Sequence, residues 1–202
     1  MNRNRIIAAS IFIVLGVIFV YSTLGDHSPE EYSEFIYKER DEQERFMKYS
    51  SESPFVIDSL KYGGLKYYPP NMNYKVKGRF EKIENPAIRT LATNDGKEEQ
   101  YLEYGFAQFN LDGKDHKLLI LENVSEDVLF LAFGDETSAI ETYGAGRYLD
   151  VEHFGGNTIT LDFNLAYNPY CAYSDVFSCP LPPRENLLDV AIKAGEKTYA
   201  PH

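Results

Sequence analysis

The run NTITLDFNLAYNPYCAYSDVFSCPLPPREN, residues 157–186, decides how this chain folds. Its opening alternates. Ile159, Leu161 and Phe163 fall on one face and Thr158, Thr160 and Asp162 on the other, which predicts a strand with one buried side. After Asp162 the alternation stops. The stretch 162–186 holds both cysteines and four of the ten prolines. Asn168-Pro169, Cys179-Pro180 and Pro182-Pro183 push the preceding residue out of the helical region and remove backbone donors, so no regular helix forms there. A long irregular segment is uncommon in a compact domain, and where one occurs it is often functional.

Working outward, the chain from residue 55 onward is punctuated by turn residues such as Gly63-Gly64, Asn94-Asp95-Gly96 and Asp112-Gly113. Between them lie short runs at 74–83, 88–93, 101–111, 116–122, 128–133, 147–151 and 158–163. Asp112-Gly113 between two such runs is a hairpin signal. Tyr (16) and Phe (13) are abundant, which suits pleated sheet. These spacings predict a mainly β, α+β fold: an antiparallel barrel or sandwich with an N-terminal helix and a proline-rich C-terminal segment. Residues 135–143 read as a helical turn or two, and 185–194 as a short helix or last strand.

Ser28-Pro29-Glu30-Glu31 is a helix start, with a hydroxyl cap, proline at the first helical position and an acid three residues after the cap. The helix is expected to run to about Lys48. Its charged middle, residues 38–45 (KERDEQER), reads as a solvated face with i,i+4 pairs such as Asp41 and Arg45.

Arg3 and Arg5 precede residues 6–24, which carry no charge. As a helix that run would span about 28 Å, close to the hydrocarbon thickness of a bilayer. Positive charge before it and acid after it orient the N-terminus inward. Residues 1–25 are therefore read as a signal anchor or signal peptide, 26–52 as a helical stalk or packing helix, and 53–202 as the β-rich domain. Localisation follows: the cell envelope, extracytoplasmic, with residues 6–24 in the membrane or removed.

The formal charge is −11, and −13 without residues 1–25, which hold two arginines and no acid. That balance argues against nucleic acid, whose binding rests on clustered Lys and Arg.

Cys171 and Cys179 in an exported chain read first as a disulfide. A zinc site with His116 or His153 and a pair of free thiols are the alternatives. Arg147, Asp162, Asn164, Asn168, Glu185 and Asn186 are the ligand-binding candidates. Asp162 and Asn164 share a face and offer oxygens, and the Arg147 fork matches a carboxylate. Against this stands the plainer reading that Asp and Asn satisfy the backbone of a broken loop. G-x-S-x-G, H-E-x-x-H and G-x-G-x-x-G are all missing from the sequence. No cofactor is implied.

Four linked motifs carry a resemblance. They are YGAGRYLD (143–150), DFNLAYNPYCAY (162–173), SCPLPPREN (178–186) and AGEK (194–197). With Ser53-Pro54, GLKYYP (64–69) and Tyr104-Gly105 upstream, the chain resembles the domain of unknown function 1684 family over about residues 30–200. The resemblance implies that Arg147, Asp162, Asn164, Asn168, Cys171, Cys179, Glu185 and Asn186 belong together in space.

The function expected is therefore an extracytoplasmic module binding a small polar ligand. The alternatives are a hydrolase or lyase with Asp162 or Glu185 as general base and Arg147 as oxyanion partner, or a structural envelope protein.

Overall fold

The computed structural model describes residues 28–123 and 128–199. The expected span 6–24 lies outside them. Among the described residues no helix is long and apolar enough to cross a membrane. The chain divides into two compact units, Met1–Tyr32 and Ser33–His202. Every described element lies in the second except the start of the first helix.

That helix, α1, covers Pro29–Tyr49. The capping box forms as its sequence demands: the Glu31 N–H donates to Ser28 Oγ (3.2 Å), and the Ser28 N–H donates to Glu31 Oε2 (3.0 Å). The charged middle divides into two faces. Lys38 pairs with Glu42 (3.9 Å) and Arg45 with Asp41 (3.6 Å), both in solvent. Arg40, Gln43 and Glu44 turn inward instead. Arg40 lies four residues after the fully buried Ile36 and seven before the buried Met47, on one stripe. Ser53 caps a four-residue helix, α2 (Pro54–Ile57), by accepting from the Phe55 N–H (3.2 Å).

Seven strands follow, one for each expected run: β1 (Lys75–Lys82), β2 (Ile88–Ala92), β3 (Glu98–Leu111), β4 (Lys114–Asn123), β5 (Val128–Phe133), β6 (Arg147–Asp150) and β7 (Thr158–Asp162). They form one antiparallel sheet in the order β6-β5-β4-β3-β1-β7, with β2 pairing beside the first half of β3. The sheet curls into a half-barrel, so of the two expected architectures the barrel-like one is found. Asp112 (φ 52) and Gly113 (φ 79) make the tight turn joining β3 to β4, both in the left-handed region that a primed turn needs. At the bulge between Glu103 and Gly105, a Cβ on Gly105 would sit 2.4 Å from the Phe80 ring, so only glycine fits there.

The concave face holds the main core. Phe80, Phe109, Leu118, Ile120, Leu131, Phe133, Leu161 and Phe163 meet there with Ile192 and Ala194 from the C-terminal segment. Each of the Phe, Leu and Ile side chains contributes roughly 1.5–3 kcal/mol by leaving water. Ile159, Leu161 and Phe163 point inward and Thr158 and Thr160 outward, as the alternation requires.

Residues 135–143 and 185–194 contain no α-helix; the first is a set of tight turns, with Ala139 at φ 62. The proline-broken segment is stitched to the sheet by isolated bridges, Tyr167 to Tyr148, Pro180 to Thr93 and Leu187 to Gly134, and Glu196 bridges to Tyr67. It is held firmly at each turn.

Candidate functional site

Where β7 ends, Asp162 caps a 3-10 turn, Phe163–Leu165. Its Oδ1 accepts the Asn164 N–H (3.2 Å) and Nδ2 (3.0 Å). The Asn164 amide closes a second ring with Asn71, accepting its N–H (2.8 Å) and donating to its carbonyl (2.9 Å). The Asn164 carbonyl accepts Arg40 Nη2 (3.2 Å), while Arg40 Nη1 reaches the Tyr68 carbonyl (2.8 Å). The Arg40 guanidinium also lies 4.5 Å from the centre of the Tyr67 ring. One buried cation thus ties α1, the segment around Tyr68 and the end of β7 together.

These residues border a cavity of about 910 Å³ between α1 and the β6–β7 side of the sheet. Phe35, Tyr67, Phe154, Tyr167 and Tyr170 supply its aromatic walls. Polar lining comes from Lys75, Asp150, Glu152, Thr158 and Thr160 besides Asp162 and Asn164. Tyr167 donates its hydroxyl to Asp150 (2.7 Å), fixing the ring at the wall. Phe154, 93% exposed, sits at the rim. A second, shallower groove of about 850 Å³ crosses β1 beside Lys77, Arg79, Gln108 and Lys117, and shares Thr158 with the first.

The other candidates lie elsewhere. Arg147 is 1% exposed and pairs with Asp135 (2.9 Å). Its other Nη hydrogens reach the carbonyls of Ile192 (2.9 Å), Ala194 (2.5 Å) and Glu196 (3.2 Å), while its buried Nε has no hydrogen-bond partner. Asp135 in turn accepts from Thr137 and from the Ile192 N–H (3.1 Å). Asn168 donates its N–H to Glu196 Oε2 (3.0 Å) and its amide to the Lys197 carbonyl (2.9 Å). Tyr173 donates to the same carboxyl. Burial pushes Glu196 up to about 7, against the pull of the Asn168 and Tyr173 hydrogen bonds and of Arg147. Tyr173 is raised well above the usual phenol range by its own burial and by Glu196.

Asn186 is fully buried where β4 and β5 part. It accepts the Leu119 N–H (2.7 Å) and donates to the carbonyls of Leu119 and Ala132 (2.9 Å each). Those strands pair only at 121–123 with 128–130, so the amide replaces ladder bonds that the curl has opened. Glu185 is on the surface, paired with Arg89 (2.7 Å), which also holds Glu103 (2.6 Å).

The expectation that these six, with Cys171 and Cys179, gather at one spot is thereby corrected. Asp162 and Asn164 meet; Arg147 and Asn168 are both interior, joined through Glu196; Asn186 and Glu185 stand apart. The physical reason is that a segment without a ladder leaves many backbone groups to be satisfied, and the nearest Asn, Asp and Arg satisfy them. Sequence reasoning missed Arg40, Asp135 and Glu196. Arg40 was signalled by its place on the Ile36–Met47 stripe and Glu196 by its motif; nothing local marked Asp135.

The expected Cys171–Cys179 disulfide is not formed in this structure. Both are buried free thiols, and the Cys171 N–H donates to Cys179 Sγ (3.2 Å). The zinc alternative finds no support: His116 stacks on Phe109 and His153 on Phe80. Among the described residues no group of three or more His, Cys, Asp or Glu could hold a metal ion.

Residues 60–197 match the family described as Protein of unknown function (DUF1684). The solution NMR structure of an uncharacterized protein of Haloarcula marismortui is 37% identical. It superposes with a TM-score of 0.65, covering 86% of this chain and 97% of that one. No curated protein matches the chain.

Proposed function

The chain belongs to the family of proteins of unknown function DUF1684, and on that premise we propose that it is a binding module for a small polar ligand. The ligand sits in the cavity between α1 and the β6–β7 side of the sheet. One observation carries the reading: an approximately 910 Å³ space whose walls mix aromatic rings with hydroxyl and carboxylate groups. Ligand sites are typically clefts of about 300–1,000 Å³ with apolar walls and a few placed polar groups. Tyr67, Tyr167 and Tyr170 offer flat faces, while Thr158, Thr160 and Asp150 offer hydrogen bonds; a sugar or an amino acid presents both kinds of surface. The hydrolase alternative loses its support at Arg147, whose Nη donors are taken up by Asp135 and three carbonyls and whose side chain is 1% exposed, far from serving Asp162 or Glu185.

The module is read as extracytoplasmic, on the strength of Arg3 and Arg5 before the uncharged run 6–24. Protease digestion of intact cells tests this: protection of the whole chain would overturn it.

For the ligand, thermal-shift screening with sugars, amino acids and divalent cations is the direct test. The expected outcome is a raised Tm with sugars or amino acids that is lost in Thr160→Arg, which fills the cavity from an exposed strand position. No shift with any class, or a shift indifferent to that substitution, would sink the reading.

A further inference from the structure

Cys171 and Cys179 take no part in the cavity, yet their setting is specific. Cys171 lies within the 3-10 turn Tyr170–Ala172, and Cys179 is pinned by Asn94, whose Oδ1 accepts the Cys179 N–H (2.7 Å) and whose N–H donates to the Cys179 carbonyl (3.1 Å). Between these two fixed backbones the cysteines adjoin, the Cys171 N–H donating to Cys179 Sγ (3.2 Å). The Tyr143 hydroxyl is directed at Cys171 Sγ (3.8 Å), so that sulfur is faced by an O–H and its neighbour by an N–H. The pair is therefore asymmetric. Cys171 Sγ faces a side-chain hydroxyl that can stabilise a thiolate, while Cys179 Sγ accepts the Cys171 N–H.

We propose that Cys171 and Cys179 are a reversible dithiol–disulfide couple in which Cys171 is the attacking sulfur. The couple is closed by exchange with a small disulfide such as oxidised glutathione. The Cys171 thiolate attacks one sulfur of that disulfide, forming a mixed disulfide and expelling one small thiolate. Cys179 gives up its proton, attacks the Cys171 sulfur and expels the second thiolate. The protein loses two hydrogens, and the small disulfide is reduced to two thiols. The sulfur of Cys179 already lies 3.2 Å from the Cys171 backbone nitrogen, so the two side chains start from adjoining positions. The directions of the two thiol pKa values agree: Cys179's hydrogen bond lowers that of Cys171 and, with burial, raises that of Cys179. Both sulfurs are buried, so exchange proceeds through local opening of the segment. An oxidising compartment favours the closed form.

The test uses the folded, reduced full-length chain incubated with oxidised glutathione, then acid-quenched, alkylated and weighed. The wild type is expected to lose two hydrogens and to resist alkylation at both cysteines. Its Tm should rise by about 5–10 °C, reversed by dithiothreitol, since closing so short a loop constrains the unfolded chain. Cys179→Ser should trap a glutathione adduct on Cys171, whereas Cys171→Ser should react at least tenfold more slowly. Should either variant fail to fold, peptide mapping of early time points in the wild type shows which cysteine carries glutathione first. Full alkylation of both thiols after incubation, during either native exchange or refolding, would overturn the couple. A first adduct on Cys179 would overturn the assignment of Cys171.

Discussion

The curled sheet and the C-terminal segment 163–199 are both well buried but held by different means. Strands β3 and β4 bond each other through a ladder running from Leu102↔Glu122 to Leu111↔Lys114, and their side chains are free to pack a core. The segment has no ladder. Isolated backbone bridges meet some of its carbonyls and N–H groups, and side chains meet others: Arg147 at residues 192, 194 and 196, Asn168 at 197, and Asp135 at 192. In the sheet, polar side chains are surplus and can face water; in the segment they are already committed to the backbone. A cluster of Asp, Asn and Arg in a proline-broken run therefore marks tight internal stitching before it marks a ligand site.

The largest test of that contrast is Arg147→Ala. It removes four donor contacts and leaves Asp135 charged and unpaired in the interior, where the loss of one partner typically costs about 3–5 kcal/mol. Urea unfolding should show a fall of about that size, matching Leu118→Ala in the sheet core (about 2–5 kcal/mol). A loss under about 1 kcal/mol would mean that the segment is not held as described.

Asn186→Ala comes next. It strands the Leu119 N–H and the carbonyls of Leu119 and Ala132 at the parting of β4 and β5, and buried unsatisfied groups cost roughly 1–3 kcal/mol. Hydrogen exchange should speed up at Leu119 specifically, while β1 and β7 keep their protection.

The third test is pH. Glu196 is raised from its ordinary value of 4.5 to about 7, so between those values the folded chain keeps a proton that the unfolded chain has lost. Its contribution is complete below 4.5 and disappears as pH rises through 7. Wild-type Tm should fall between about pH 5 and pH 8 more steeply than that of Glu196→Gln, which keeps a neutral side chain throughout. A pKa displaced by one corresponds to about 1.4 kcal/mol, so the difference should reach on the order of 1–3 kcal/mol. Equal slopes would remove Glu196 as the cause.

The strands were legible because period-two alternation and Asp112-Gly113 are local signals, and all seven runs appear in order. The irregularity of the C-terminal segment was legible from its prolines. The work of its polar residues was not, because their partners lie far off in sequence: Asn164 meets Asn71 and Arg40, and Asn186 meets Leu119. Nothing local distinguishes an amide that binds a ligand from one that satisfies a backbone 67 residues away. The cavity was half legible. Asp162 and Asn164 border it as the sequence suggested, but its opposite wall comes from α1, where a run of charges concealed Arg40.

The smallest expected effect belongs to Glu185, the one candidate left on the surface. Its bond to Arg89 is 2.7 Å, but Arg89 also holds Glu103, and all three side chains are partly in water. Exposed ion pairs contribute about 0–1 kcal/mol and weaken with salt. Glu185→Ala should therefore cost under about 1 kcal/mol at low ionic strength, with the difference vanishing in molar salt. It shares a 3-10 turn with Asn186, yet the two substitutions should differ by roughly threefold or more in cost. If they matched, position in the segment rather than the partner met by each side chain would set the energetics, and the contrast with the sheet would fail.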